Sequence, residues 1–360
     1  MASSSSSSPA KLDRKRPRLG SEIPADDAKV FVNHPTLYCE DGNVILKCGR
    51  TLFCIHRSLL SRHSTVFGDL LTPREGQKRE FLRGLPLVIL DDDRDDIEAF
   101  LKVIYDGMRV DCPNLTIETF PTLSAILRMS TKYGVEIPRQ EILAKLREEW
   151  PSSLDKHDAK YAAFRLRING QGQQNDPPLP VDDAIIHPAV VISLLRQCNY
   201  SDPDLLAPLF YDLSIRTWQF GGAAVGNNVS SLSSADTERL IVGVEMLRNC
   251  FTMFSRVPFN VLCAQHAQGP PPNCLQGSAR FWDVCVPYLG QTGVIGLRDR
   301  IKLCMPIETI GDLVKIADQG LRQLGVCPQC AKAIETVWSA SRKVIWEKIA
   351  VYFELGVGAP

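Results

Sequence analysis

Asn43-Val44-Ile45-Leu46-Lys47-Cys48-Gly49-Arg50-Thr51-Leu52-Phe53-Cys54-Ile55-His56 is two short apolar runs divided by Cys-Gly-Arg. Glycine accepts positive φ without a Cβ clash, so Gly49 permits a tight turn and the stretch reads as a β-hairpin. From Arg57 onward, Leu59, Leu60, His63, Val66 and Phe67 fall on one side at helical spacing, with Ser58 and Ser64 available as caps. Leu85-Pro86-Leu87-Val88-Ile89-Leu90 reads as a third strand. An acidic run from Asp91 to Asp96 then leads into a helix that carries Ile97, Phe100, Leu101, Ile104 and Tyr105 on one face and stops at Gly107.

Working outward, the polar stretch from Thr72 to Arg83 reads as a loop. Val30 to Glu40 approaches the first strand, with Asn33-His34-Pro35 breaking any helix. Downstream, Thr119 to Tyr133 is a helix by the spacing of Phe120, Leu123, Ile126 and Leu127. Val135 to Trp150 is another, with Pro138 in its first turn. The acidic run lacks the spacing of a calcium loop. Its carboxylates instead fit the orphan N–H groups and the dipole of the helix they precede.

This order of hairpin, helical pair, strand, acidic cap and helix resembles the BTB/POZ domain. The matching pieces are Leu52-Phe53-x-x-His56-Arg57-x-Leu59-Leu60, then Ser64-x-x-Phe67, then Ile97-x-x-Phe100-Leu101-x-x-Ile104-Tyr105-x-Gly107. The resemblance covers roughly residues 38 to 136, and the layout looks most like fungal BTB/POZ-containing proteins. It implies an α+β domain of small sheet plus helices, here followed by an all-α C-terminal domain. The expected division is a disordered Ser-rich and basic tail over 1–36, a BTB/POZ-like domain over 37–136, a helical extension and linker over 137–184, and an all-helical domain over 185–360.

The resemblance also implies function. BTB/POZ domains associate with themselves or with partners, which places a homodimer or partner-binding face near Leu37, Tyr38, Leu59, Leu60, Phe67, Leu70 and Leu71. The alternative is that all seven are core. His56 corresponds to a core histidine. Dimeric transcription-regulating members pair an Asp on the first strand with the Arg after that histidine; here Arg57 is present, Asn43 stands at the Asp position, and Asp41 is nearby. The family's other role is substrate adaptor on a cullin scaffold of a ubiquitin ligase, through the surface around Asp106 to Asp111 and the helix from Thr119.

Composition is that of an ordinary globular chain. The 360 residues are 44% apolar and 23% charged, with zero formal net charge, so no overall field draws it to nucleic acid or acidic lipid. No apolar run is long enough for a transmembrane helix. The first residues are Ser-rich and basic without an apolar segment, which predicts an intracellular protein with reduced thiols, in nucleus or cytoplasm. Lys11, Arg14, Lys15, Arg16 and Arg18 form a basic cluster suited to a nuclear-import receptor; a solubilising tail is the plainer reading.

The C-terminal half, after a Gly/Gln/Pro-rich stretch over 168–183, reads as helices over 184–198, 203–220, from Asp236 to about Phe254, around 281–289, 307–324 and 331–353. Twelve cysteines include Cys327-Pro328-Gln329-Cys330, whose gap lets two thiolates share one tetrahedral ion. Cys263 and His266 repeat that gap, so the four together predict a structural zinc staple, with Cys250, Cys274, Cys285 and Cys304 as alternative partners. A redox dithiol and plain core thiols are the competing readings. Phosphate loop, dinucleotide fingerprint, nucleophile elbow, zincin helix and zinc-finger DNA-reader spacings are all missing from the sequence, so a non-enzymatic interaction protein is expected, with no required cofactor.

Overall fold

The computed structural model describes residues 31–72, 80–112, 114–171, 186–216, 218–219, 227–228, 231–256, 272–285 and 306–356. The basic cluster, most of the Gly/Gln/Pro-rich stretch and the Cys263–His266 pair lie outside the described residues.

The hairpin forms as expected. β2 (Val44–Cys48) and β3 (Thr51–Ile55) pair antiparallel, and Gly49 turns the chain at φ +55°. Three further strands complete a mixed sheet of order β1-β3-β2-β5-β4. β1 (Val32–Tyr38) lies parallel to β3 with a register irregularity between Asn33 and Tyr38. Its residues up to Thr36 fall in the expected tail, and Leu37 and Tyr38 in the expected domain. β5 (Leu85–Leu90) lies parallel to β2. β4 (Glu80–Leu82), inside the expected loop, pairs antiparallel with β5 through Arg83-Gly84, both at positive φ. Two consecutive positive-φ residues are what a two-residue hairpin of right-handed twist requires.

Strand alternation divides the sheet's side chains. Val44, Leu46, Phe53 and Ile55 face a core shared with helices, while Ile45, Leu52 and Cys54 face a smaller cluster with Tyr38 and Leu85. Two helices cover the first face. α1 (Arg57–His63) and α2 (Thr65–Leu71) are separate because Ser64 is extended, at φ −135° and ψ 117°. Ser64 caps α2 by accepting the Phe67 N–H at 2.9 Å, and its hydroxyl donates to the Tyr133 carbonyl. The break changes the helical phase, so Phe67 points inward while Val66, expected on the same side, is exposed.

α3 (Arg94–Tyr105) begins as the acidic run predicts. Asp93 accepts the Asp95 N–H at 2.8 Å, Asp96 forms a two-bond pair with Arg128, and Asp92 accepts from Lys132 and the Tyr133 hydroxyl. α4 (Phe120–Lys132) and α5 (Glu136–Glu149) follow. Tyr133 stacks on Phe67 at 4.2 Å, locking α4 onto α2.

The opposite side of α4 and α5 belongs to a second core that runs without interruption into the C-terminal half. Leu123, Ile126, Leu127, Ile142, Leu146 and Trp150 share one buried cluster with Val191, Leu206, Phe210, Leu240, Ile310, Trp338 and Phe353. The helices contributing to it are α6 (Leu154–Gln171), which sequence reading missed, α7 (Pro188–Gln197), α8 (Pro203–Ser214), α9 (Ser234–Arg256), α10 (Pro272–Cys285), α11 (Pro306–Gln323), α12 (Pro328–Glu347) and α13 (Ile349–Tyr352). Among the described residues this half is helical apart from short connections and Trp218–Gln219, which pairs with Asn227–Asn228 where a longer α8 was expected.

Buried polar groups tie these helices together. Trp150 Nε1 donates to Asp212 at 2.8 Å, and Trp346 Nε1 to the Ser152 carbonyl at 2.6 Å. Glu308, buried, takes bonds from the Tyr211 hydroxyl and the His157 ring, while Arg342 grips Asp158. Asp236 receives Arg196 at 2.9 and 3.1 Å and Arg239 at 3.0 Å. Burial pushes its carboxyl up, but the Arg196 bond and charge, with Ser233 and Arg239, pull it below the usual carboxylate range.

Candidate interaction surface and a cluster of thiols

His56 ends β3 and precedes α1. Its side chain is partly exposed rather than core, because it bridges two elements at the sheet's rim. The Tyr105 hydroxyl accepts the His56 backbone N–H at 3.0 Å and lies 2.9 Å from Nδ1, while Nε2 lies 3.1 Å from Asp41. With Tyr105 donating to Nδ1, the ring proton sits on Nε2 and faces the carboxylate. The bond from His56 holds the Asp41 carboxyl below its ordinary value. Burial raises the Tyr105 phenol to about 12. Asp41 therefore serves His56, not Arg57.

Asn43 takes the other role. Its Oδ1 accepts the Arg57 backbone N–H at 2.7 Å, capping the first turn of α1. A neutral amide does this as well as a carboxylate and leaves the Arg57 guanidinium outside any ion pair among the described residues.

Arg57 lines a groove of about 450 Å³ between α2 and the β4–β5 hairpin, together with Asn43, Leu70, Glu80, Val88 and Ile89. Leu70 is 45% exposed and Ile89 51%, and Phe81 on the adjoining edge strand is 63% exposed. Of the seven face residues expected from sequence, the chain's own core takes Leu37, Leu60, Phe67 and Leu71. Tyr38 and Leu59 are half-buried, and Leu70 alone is well exposed. Ile89 and Phe81, exposed at or beside the groove, were not among the seven. Ile89 sits in a run whose every residue is apolar, so alternation gave no sign of the face it presents.

In the C-terminal half, the Cys327 and Cys330 sulfurs converge with that of Cys274, all within 4.8 Å of one another. Cys274 was an alternative partner in the sequence reading; Cys263 and His266 lie outside the described residues.

A small mixed sheet is capped by a helical pair and closed by further helices. Residues 36–147 match the family model of the BTB/POZ domain. The match runs through most of α5, which packs on α4. No curated protein and no solved structure matches the chain. Among the described residues, no helix is long and apolar enough to cross a membrane.

Proposed function

We propose that the BTB/POZ domain pairs two copies of this chain through the groove between α2 and the β4–β5 hairpin, making the protein a non-enzymatic assembly factor. The observation that carries this reading is the groove's composition. It holds exposed Leu70 and Ile89 beside one cation, Arg57, and one anion, Glu80. A two-fold interface must complement itself, and a patch bearing both signs around an apolar centre meets that demand. The basic cluster Lys11–Arg18 supports a nuclear setting, in keeping with family members that regulate transcription.

The test is light scattering on the full chain and on charge variants. A dimer that dissociates on Leu70→Asp, weakens on Arg57→Glu or Glu80→Arg, and recovers in the double swap supports the reading. A wild-type monomer at about 100 μM, some hundredfold above a micromolar dissociation constant, overturns it. Capture of a cullin scaffold by that monomer would establish the adaptor role instead.

A further inference from the structure

We infer that Cys274, Cys327 and Cys330 form a structural metal site that takes a thiophilic divalent cation, zinc above all, and fastens α10 to the turn between α11 and α12. The site joins Cys274 to a cysteine pair that begins 53 positions later in sequence, and it is independent of the pairing groove.

Three observations converge. The first is proximity: three sulfurs lie mutually within 4.8 Å. Zinc–thiolate bonds of 2.3 Å in a tetrahedron set sulfurs about 3.8 Å apart, so a shift of about 1 Å closes the set around an ion. Cysteine side chains supply that by small χ1 rotations.

The second is the hydrogen bonding of the sulfurs. The Cys327 N–H donates to the Cys274 sulfur at 3.3 Å, and the Cys330 N–H donates to the Cys327 sulfur at 3.4 Å. Backbone donors of this kind, one step out from the ion, orient the ligands that hold it. Here they orient the Cys274 and Cys327 sulfurs.

The third is the placement of the helices. Cys327 is the N-cap of α12, Cys330 lies in its first turn behind Pro328, and Cys274 lies in the first turn of α10. Two helix N-termini of 14 and 20 residues thus face one point. Zinc with three thiolates carries a net negative charge, which those partial positive ends offset. The approach is built in at Gly277, where a Cβ would stand 2.5 Å from the Leu324 carbonyl oxygen. Only a residue without a side chain lets α10 come this near the turn.

Soft thiolate donors select zinc over magnesium or calcium, whose ligands are oxygens. Cys274 and Cys330 are buried and Cys327 half-buried, so the set is enclosed by protein on most sides, as a staple is.

The experiment uses the full chain purified under reducing conditions without chelator. Elemental analysis should give one zinc per chain. Cobalt exchanged into it should show the intense visible bands of a tetrahedral site and thiolate charge transfer in the near ultraviolet. Cys274→Ser and Cys330→Ser should abolish both, while Cys198→Ser, another buried cysteine, should keep them. If the serine variants fail to fold, alkylation of the wild-type chain decides: chelator should expose Cys327 to reagent at least tenfold faster, in step with a fall in melting temperature. Absence of zinc and of cobalt uptake in the folded, reduced chain overturns the site. So does a loss of two thiols to a disulfide within the trio, or a cobalt spectrum that Cys274→Ser leaves intact.

Discussion

Tyr105 serves His56 twice, with its hydroxyl 3.0 Å from the backbone nitrogen and 2.9 Å from the ring Nδ1. One phenol at the end of α3 thereby fixes the entry to α1 across 49 positions of sequence. Tyr105→Phe keeps the ring and removes both bonds. The expected loss is about 1–2 kcal/mol, read from the urea midpoint with unchanged slope. A change below about 0.3 kcal/mol, within ordinary surface-substitution scatter, would show that solvent replaces the hydroxyl.

Asp236 makes stability depend on acid. Its carboxyl is held below the unfolded value of about 4, so its contribution is full above that pH and is lost as pH falls through the folded value. Asp236→Asn leaves Arg196 and Arg239 without their anion and should cost about 3 kcal/mol at pH 7. The gap in melting temperature between wild type and variant should be widest near neutrality and close below about pH 4. A gap constant with pH would mean that shape, not charge, matters at this site.

Gly243 sets helix propensity against packing. An alanine at a solvent-facing glycine in a helix gains about 1 kcal/mol. At this position in α9 the added Cβ would enter the Phe353 ring, which is fully buried and lies 5.4 Å from the Phe210 ring. Overpacking should win, so Gly243→Ala is expected to destabilise by about 1–3 kcal/mol. Adding Phe353→Leu should recover part of that loss. A stabilised single variant would refute the close contact.

Cutting the chain at the end of the BTB/POZ match should fail as a way to isolate the module. A segment of residues 31–147 exposes the side of α4 and α5 that carries Leu123, Leu127, Ile142 and Leu146. It should bind a hydrophobic dye and unfold with a shallow transition, whereas the full chain should not. A sharply folding, dye-silent fragment would show that the second core is dispensable to the first.

Much of the module was legible because its cues are local. Gly49 between apolar runs and Asp93 ahead of a periodic helix each act within a few residues. β1 and β4 were not, since their cues are weak or need a partner. β1 contains His34 and Pro35 and is held by β3, and β4 has three residues whose hairpin depends on Arg83-Gly84. Which of the seven expected face residues are exposed was not readable. Ser64 interrupts the helix and rotates α2, which sends Phe67 inward and leaves Leu70 at the surface. For the thiols, the Cys327–Cys330 gap is visible in sequence. Their neighbour is chosen by how α10 crosses α11, which no spacing encodes.

The unbroken core between α4–α5 and the C-terminal helices has a geometric outcome. Among the described residues, one buried cluster joins the two parts, so two chains paired through the proposed groove would carry their helical halves at one separation and one angle. Such a pair works as a caliper. A target with two matching sites at that spacing gains from avidity, while one with the same sites set closer or farther gains nothing.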